Sequence, residues 1–388
     1  MSEVLFIPSW YPNRTAKDSG NFIRRLIEAD SLYDSVSVLF ATPDNTMKNK
    51  YEIIVKDDNA VLEVKVYFRQ IRGDSPLIIP LKAFRRVKAY RLGLKEILKR
   101  RKKPELIHVQ SALPALLYAR RLAVKLKIPY LVTEHGLGYY VSKKNTLTEI
   151  LLFHALKSAY NGASKIITVS KFLGDAMKNK GLCRSYKVIP NSVPLPDLPP
   201  SALAASPKKR IIHISTLAPV KNAHGIINAI KEVWRQRQDF ELVIVSEADE
   251  QKELRHYVSE AGLGTETVRF LPYIDDVKEL LELLYSSSFM LLFSNYETFS
   301  VVLAESLWAG RPVITSRCGG PQEFITAEFG ILLEPGDEKT LAEAILTMLD
   351  TWQNYDSRKM REFARSHFAP SVIGKEIYET HRDVLKKQ

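Results

Sequence analysis

The sequence predicts an α/β protein made of two doubly wound domains facing a cleft. Three observations carry this. Short runs rich in Val, Ile and Leu alternate with helical stretches along the whole chain, the pattern of parallel strands covered by helices on both faces. A proline cluster breaks the alternation once, near the middle. A chain of 388 residues, at about 150 per domain, suits two cores rather than one.

In the first half, Val4–Ser9, Val36–Ala41, Leu62–Phe68, Glu105–Gln110, Tyr130–His135 and Lys165–Ser170 read as strands. Helical periodicity lies between them, over Asn21–Tyr33, Leu81–Arg101, Ala115–Leu126, Leu147–Asn161 and Lys171–Lys180. Pro190, Pro194, Pro196, Pro199, Pro200 and Pro207 then remove amide donors and fix φ, so neither helix nor sheet continues. Residues 196–207 are the predicted linker, between a domain of 1–195 and one of 208–370. Strands resume at Arg210–Ser215, Glu241–Ser246, Val268–Leu271, Met290–Ser294, Pro312–Ser316 and Ile331–Leu333. Helices are expected at Ala223–Arg237, Glu250–Ala261, Val277–Tyr285, Ser300–Ala309 and Lys339–Trp352. Asp356–Lys387 reads as helix with a break at Ala369–Pro370. Ligands of such Rossmann-like sheets sit beyond the carboxyl ends of the strands.

Composition and charge exclude several classes. With 45% hydrophobic and 26% charged residues the chain is globular rather than disordered. No apolar run reaches the ~18–20 residues of a spanning helix. The opening MSEVLFIPSWYP has no basic n-region, so no signal peptide is expected. Cys183 and Cys318 alone make no disulfide framework and fit a reducing, cytoplasmic compartment. No Gly-x-x-x-x-Gly-Lys phosphate loop or Gly-x-Ser-x-Gly elbow occurs, which disfavours a P-loop NTPase and an α/β-hydrolase, and without Asp-x-Asp or a clustered His/Cys set no metal site is expected.

The net charge of +12 is unevenly spread. Residues 1–196 hold 34 Lys+Arg against 16 Asp+Glu, whereas residues 197–388 hold 22 against 28. Much of the excess lies in Lys82–Lys103, which has eleven basic residues and one acid, Glu96. There Ala83, Val87, Tyr90, Leu94 and Ile97 recur at helical spacing. Two readings stand: a solvated helix packed on a sheet, or a cationic face for anionic lipid, at ~1 kcal/mol per basic residue. Nucleic acid is disfavoured, because no aromatic-studded RNA motif or zinc-finger spacing accompanies the charge.

The most informative stretch is Phe293–Phe324, FSNYETFSVVLAESLWAGRPVITSRCGGPQEF. A strand ends at Ser294, a polar turn holds Glu297, and a helix from about Ser300 holds Glu305. Gly310-Arg311-Pro312 stops that helix, since Gly accepts the left-handed cap and Pro cannot continue. A helix start between two carboxylates offers free amides for phosphate and acceptors for sugar or ribose hydroxyls.

The pattern Glu297-x7-Glu305, then Ala-Gly-Arg-Pro-Val-Ile and Gly-Gly-Pro-Gln-Glu, resembles the donor-site signature of family 4 glycosyltransferases, which have the GT-B fold. Trp10-Tyr11-Pro12 with Ser19-Gly20-Asn21-Phe22 resembles the family's first strand–helix loop, which approaches donor phosphate and acceptor. Thr133-Glu134-His135-Gly136 resembles the strand end whose histidine faces the donor sugar. Ile167–Ser170 and Val188–Asn191 resemble the last strands of the first domain, and Leu217–Asn222 the loop whose lysine, here Lys221, binds diphosphate. Thr216 stands where the family usually has arginine, and Thr298-Phe299-Ser300 where it usually has Gly-Phe-Gly.

The resemblance implies a retaining glycosyltransferase moving a hexose from a nucleotide-diphosphate donor, UDP- rather than GDP-linked, to a glycan or lipid-linked glycan. No other cofactor is implied. Glu297, His135 and Lys221 would be catalytic. Glu305, Phe299, Ser300, Val301, Gly20, Thr216, Gly320 and Glu323 would bind donor, Phe299–Val301 through backbone amides. Plainer roles stand beside these: His135 as a structural histidine, Lys221 as a surface lysine, Glu323 as a helix-start charge. The helix 371–388 would return to the first domain. Together with the basic first half, the resemblance implies surface-polysaccharide assembly at the inner face of the membrane. The alternative is a non-catalytic sugar-nucleotide or polyanion-binding protein on the same fold.

Overall fold

The computed structural model describes residues 1–387 except 18, 59, 72, 74–77, 137–146, 194–195 and 197–207, so most of the predicted linker lies outside the described residues. It comprises two compact units, one of Met1–Ser192 with Pro370–Gln388 and one of Val193–Ala369.

The first unit holds β1 (Glu3–Pro8), α1 (Asn21–Asp30), β2 (Ser35–Pro43), β3 (Tyr51–Asp57), β4 (Val61–Phe68), α2 (Ile79–Ile97), β5 (Leu106–Gln110), α3 (Leu116–Leu126), β6 (Tyr130–Glu134), α4 (Leu147–Asn161), β7 (Lys165–Thr168), α5 (Lys171–Asn179) and β8 (Lys187–Val188). The sheet runs β3-β4-β2-β1-β5-β6-β7-β8. Every pairing is parallel except β3 with β4. β3 is the element the sequence pattern missed. It is an edge strand with no buried residue, and Ile53 and Ile54 are both exposed, so no apolar alternation marks it.

α2 differs from its predicted form. It buries Ala89, Tyr90, Gly93 and Ile97, but Ala83 is exposed and the helix ends at Ile97 rather than Arg101. Three of the basic residues that follow are paired with carboxylates. Lys99 and Arg100 pair with Glu96, the former at 2.9 Å, and Arg101 reaches Asp57 at 2.8 Å.

The second unit holds β9 (Lys209–Ile214), α6 (Ala223–Trp234), β10 (Phe240–Val245), α7 (Gln251–Glu260), β11 (Val268–Leu271), α8 (Val277–Tyr285), β12 (Phe289–Leu292), α9 (Val301–Trp308), β13 (Val313–Ser316), β14 (Gly330–Leu333), α10 (Glu338–Thr351) and α11 (Ser357–Phe368). Its sheet, β11-β10-β9-β12-β13-β14, is wholly parallel. Strands such as FELVIV are buried almost throughout, as a sheet covered on both faces requires.

The last helix, α12 (Pro370–Leu385), returns to the first unit. Its Ile373, Ile377 and Val384 join Ile23, Leu26 and Ile27 of α1 in one core cluster. The backbones approach so closely that a Cβ on Gly374 would stand 2.0 Å from the Ala29 carbonyl oxygen. This core has a polar seam: Asp30, Asp34, His108 and His381 are all fully or almost fully buried.

Two outcomes are expected. Gly374→Val should force α12 off α1 and cost about 1–3 kcal/mol, read as a lower melting temperature. Burial pushes the Asp30 carboxyl up from 3.8 to about 7. Between those values the folded state binds more protons than the unfolded one, so this group's contribution to stability falls as pH rises from about 4 to 7. Asp30→Asn should flatten that part of the stability–pH curve in denaturant titrations; an unchanged slope would refute the assignment.

Candidate active site

In the second unit, the β9–α6 connection carries Lys221. Near the end of β9 lies His213, whose Nδ1–H donates to the Leu291 carbonyl at 2.9 Å and whose Nε2 accepts from Ser215 Oγ at 2.8 Å. Complete burial pushes this imidazole down to about 4, so it is neutral. Ser215 Oγ also accepts the Leu217 N–H at 3.1 Å, and Leu217 and Asn222 both take left-handed φ values. The loop is thus pinned from beneath, with Thr216 exposed on it. A turn of 3₁₀ helix, Pro219–Lys221, then aims Lys221 at Glu297, its Nζ 2.5 Å from Oε1.

Glu297 lies on the β12–α9 connection and is held from several sides. The same Oε1 accepts from Ser294 Oγ at 2.9 Å. The Glu297 N–H donates to the Cys318 carbonyl at 3.0 Å, and its own carbonyl accepts from the Gly320 N–H at 2.9 Å. The Asn295 N–H closes on the Val220 carbonyl at 2.7 Å. Three strand-end loops, after β9, β12 and β13, therefore meet at Glu297, the first at its carboxylate and the last at its backbone. Gly320 is needed there because a Cβ would stand 2.2 Å from the Thr298 carbonyl oxygen. Cys318 beside it is buried, which pushes its thiol up to about 11.

Ser300 precedes α9 in the left-handed region, with φ 75°, and no side chain caps the helix. The first amides of α9, from Val301 on, have no intrahelical acceptor. Ser300 Oγ is buried and has no hydrogen-bond partner among the described residues. The Phe299 ring is not at the surface of this site. It stacks on Phe324 at 5.2 Å and meets Phe368 edge-on at 5.4 Å, so only the backbone at 299–301 is offered to a ligand. Glu305 is buried in α9, and Glu323 is exposed at the end of the turn that begins at Gly320.

In the first unit, His135 follows β6 and is buried, its Nε2 2.8 Å from Gln110 Oε1 and its ring 4.9 Å from Phe22. Burial pushes it down to about 3 against an opposing hydrogen bond with Asn191, so it is a neutral imidazole. Glu134 braces the same strand end, accepting the Ala112 and His135 N–H groups and the Tyr160 hydroxyl. Gly20 starts α1 at φ 72°, where a Cβ would lie 2.6 Å from the Trp10 carbonyl. Its role is to let that loop close.

The structure thus joins Glu297 directly to Lys221 and brings Gly320 and the Ser300 helix start to the same loops. Sequence reasoning missed His213, Ser215 and Ser294, which hold this group in place. Their signal is a polar residue inside or just after an apolar strand run, as in KRIIHIS and FMLLFS.

The chain matches two family models, one described as Glycosyltransferase Family 4 over residues 35–196 and one as Glycosyl transferases group 1 over residues 197–367. It is 26% identical over 364 residues to an uncharacterised glycosyltransferase of Methanocaldococcus jannaschii, covering 88% of this chain and 89% of that one. It is 26% identical over 294 residues to the N-acetyl-α-D-glucosaminyl L-malate synthase of Bacillus anthracis, covering 73% and 75%. The fold matches that of Anabaena HepE crystallised with UDP and glucose at a TM-score of 0.74, with 20% identity over 99% of this chain and all of that one. With the paired Rossmann-like sheets and the two models adjoining at residues 196 and 197, the chain belongs to the family 4 glycosyltransferases and has the GT-B architecture.

Proposed function

We propose that this enzyme transfers a hexose, with retention of anomeric configuration, from a nucleotide-diphosphate sugar to a glycan or lipid-linked glycan in surface-polysaccharide assembly. One observation carries the donor assignment: the Lys221–Glu297 pair lies on loops that also present the uncapped start of α9 and the unpartnered Ser300 Oγ. An ammonium has three donors, so Lys221 can keep Glu297 and still meet a phosphate oxygen. The α9 amides and Ser300 Oγ would take the other diphosphate oxygens. Glu305 would accept the ribose hydroxyls and Glu297 those of the sugar. The UDP and glucose of the HepE crystal favour a UDP-linked donor.

In the reaction, the bond between the anomeric carbon and the β-phosphate oxygen breaks, and its electron pair stays on the phosphate. The acceptor hydroxyl forms the new bond on the same face, and its proton passes to the departing phosphate oxygen. Lys221 and the α9 amides would stand where that negative charge develops, which is where fixed donors lower a barrier most. The neutral His135 would hydrogen-bond a sugar hydroxyl without adding charge.

A second part of the proposal concerns position in the cell. Ile79, Leu81 and Phe84, in the first turns of α2, are each at least half exposed, among Lys82, Arg85 and Arg86. Apolar side chains rimmed by cations are the composition that inserts shallowly into an anionic bilayer. Among the described residues no helix is long and apolar enough to cross a membrane. The reading is therefore a cytoplasmic enzyme held peripherally at the inner face.

Two measurements test this. Purified protein should transfer sugar from at least one member of a nucleotide-sugar panel, and Glu297→Gln or Lys221→Met should each lower kcat by about 10²–10³; full activity in either variant would refute the site. Leu81→Ser with Phe84→Ser should weaken sedimentation with phosphatidylglycerol vesicles and leave transfer to a soluble acceptor unchanged. Undiminished vesicle binding would remove the membrane reading.

A further inference from the structure

Behind His135 a line of buried polar side chains crosses the first unit. His135 Nε2 lies 2.8 Å from Gln110 Oε1. Gln110 Nε2 lies 3.2 Å from His108 Nε2, which also lies 2.7 Å from Thr133 Oγ1. His108 Nδ1 lies 3.0 Å from His381 Nε2, and His381 Nδ1 lies 3.0 Å from Asp34 Oδ2. Asp34 Oδ1 in turn accepts the Ser2 N–H at 2.9 Å. Gln110 and His108 sit two apart on β5 and so share a face. His381 comes from α12, 273 residues further along than His108.

The proton positions follow from the far end. A carboxylate oxygen of Asp34 that accepts from His381 Nδ1 places that ring's proton on Nδ1 and leaves Nε2 to accept. His108 then donates from Nδ1 and accepts at Nε2, where Gln110 and Thr133 donate. That orients the Gln110 amide, leaving its oxygen to accept from His135. His135 is therefore protonated on Nε2 and bare on Nδ1. Along this line the His108 Nε2 lone pair is shared by Thr133 Oγ1 and the Gln110 amide, and His381 Nδ1 faces Asp30 Oδ1 at 3.6 Å as well as Asp34. Holding His135 by itself would take only Gln110 and Asn191. Three further buried polar groups cost more than an apolar core of the same volume, unless they are needed to set direction.

We propose that Asp34, through His381, His108 and Gln110, fixes the tautomer and ring orientation of His135, making His381 on the C-terminal helix a positioning residue for sugar transfer. The proposal rests on the reading of His135 as a sugar-contacting group. A donor sugar hydroxyl would then find one nitrogen of defined character rather than an equilibrium between two. Because His381 belongs to α12, correct docking of the last helix on α1 becomes a condition for an ordered histidine at the end of β6.

The test uses the full chain labelled with ¹⁵N-histidine, with the His135 signals assigned by their loss in His135→Gln. Two-bond ¹H–¹⁵N spectra of the wild type should show a pure Nε2–H tautomer at His135. In His381→Phe and in Gln110→Met, which breaks the line without touching α12, the spectra should show mixed tautomers. In both, kcat should fall about tenfold or more with donor KM little changed, and His381→Gln, which can donate and accept in place of the ring, should recover part of both. A pure Nε2–H signal and unaltered kcat in either folded variant would overturn the proposal. If the wild type transferred no sugar at all, the functional reading would fall, while the tautomer spectra would still decide whether the line of hydrogen bonds sets the state of His135.

Discussion

Parallel strand pairing is the constraint on which everything else rests. All strands of the second unit, and all but β3 of the first, run the same way, so each sheet has one edge where every carboxyl end emerges. The residues with chemistry to offer are found just past those ends. Lys221 follows β9, Glu297 follows β12, Cys318 and Gly320 follow β13, and His135 follows β6. An antiparallel sheet would divide such loops between two edges. The parallel register brings three connections from distant parts of the sequence to Glu297 in the second unit.

The two units hold their candidate site residues in different ways. The second pairs opposite charges, Lys221 against Glu297, on partly accessible loops where a ligand can share the ammonium. The first uses neutral imidazoles. Burial pushes His108 and His135 well down, so their ring nitrogens serve as one donor and one acceptor each. An ion pair tolerates rearrangement, because the ammonium can rotate between partners. A line of neutral donors and acceptors does not, because reversing one link reverses the next.

Close backbone approaches fix both arrangements. Gly320 lets the turn after β13 touch the backbone at Thr298, which sets the loop between Glu297 and α9. Gly374 lets α12 reach α1, which brings His381 to His108. The left-handed residues Leu217, Asn222 and Ser300 mark the same places, where the chain turns sharply from strand to helix.

Much of this was legible in the amino-acid sequence, because hydrophobic periodicity is a local property. Val4–Ser9 or Glu241–Ser246 read as strands from a few neighbouring residues, and Gly310-Arg311-Pro312 reads as a helix stop. The Glu297–Glu305 spacing, with its flanking strings, carried the family. Elements without an apolar face escaped: β3 buries no residue, and the first turns of α2 point away from the sheet although Ala83 fits the periodic pattern. Tertiary structure alone decided which polar side chains meet. Lys221 and Glu297 are 76 residues apart, and His381 and Asp34 are 347 apart. Their contact depends on strand order and on where the last helix docks. Those follow from the summed packing of whole sheets and helices, and no short stretch of sequence contains them.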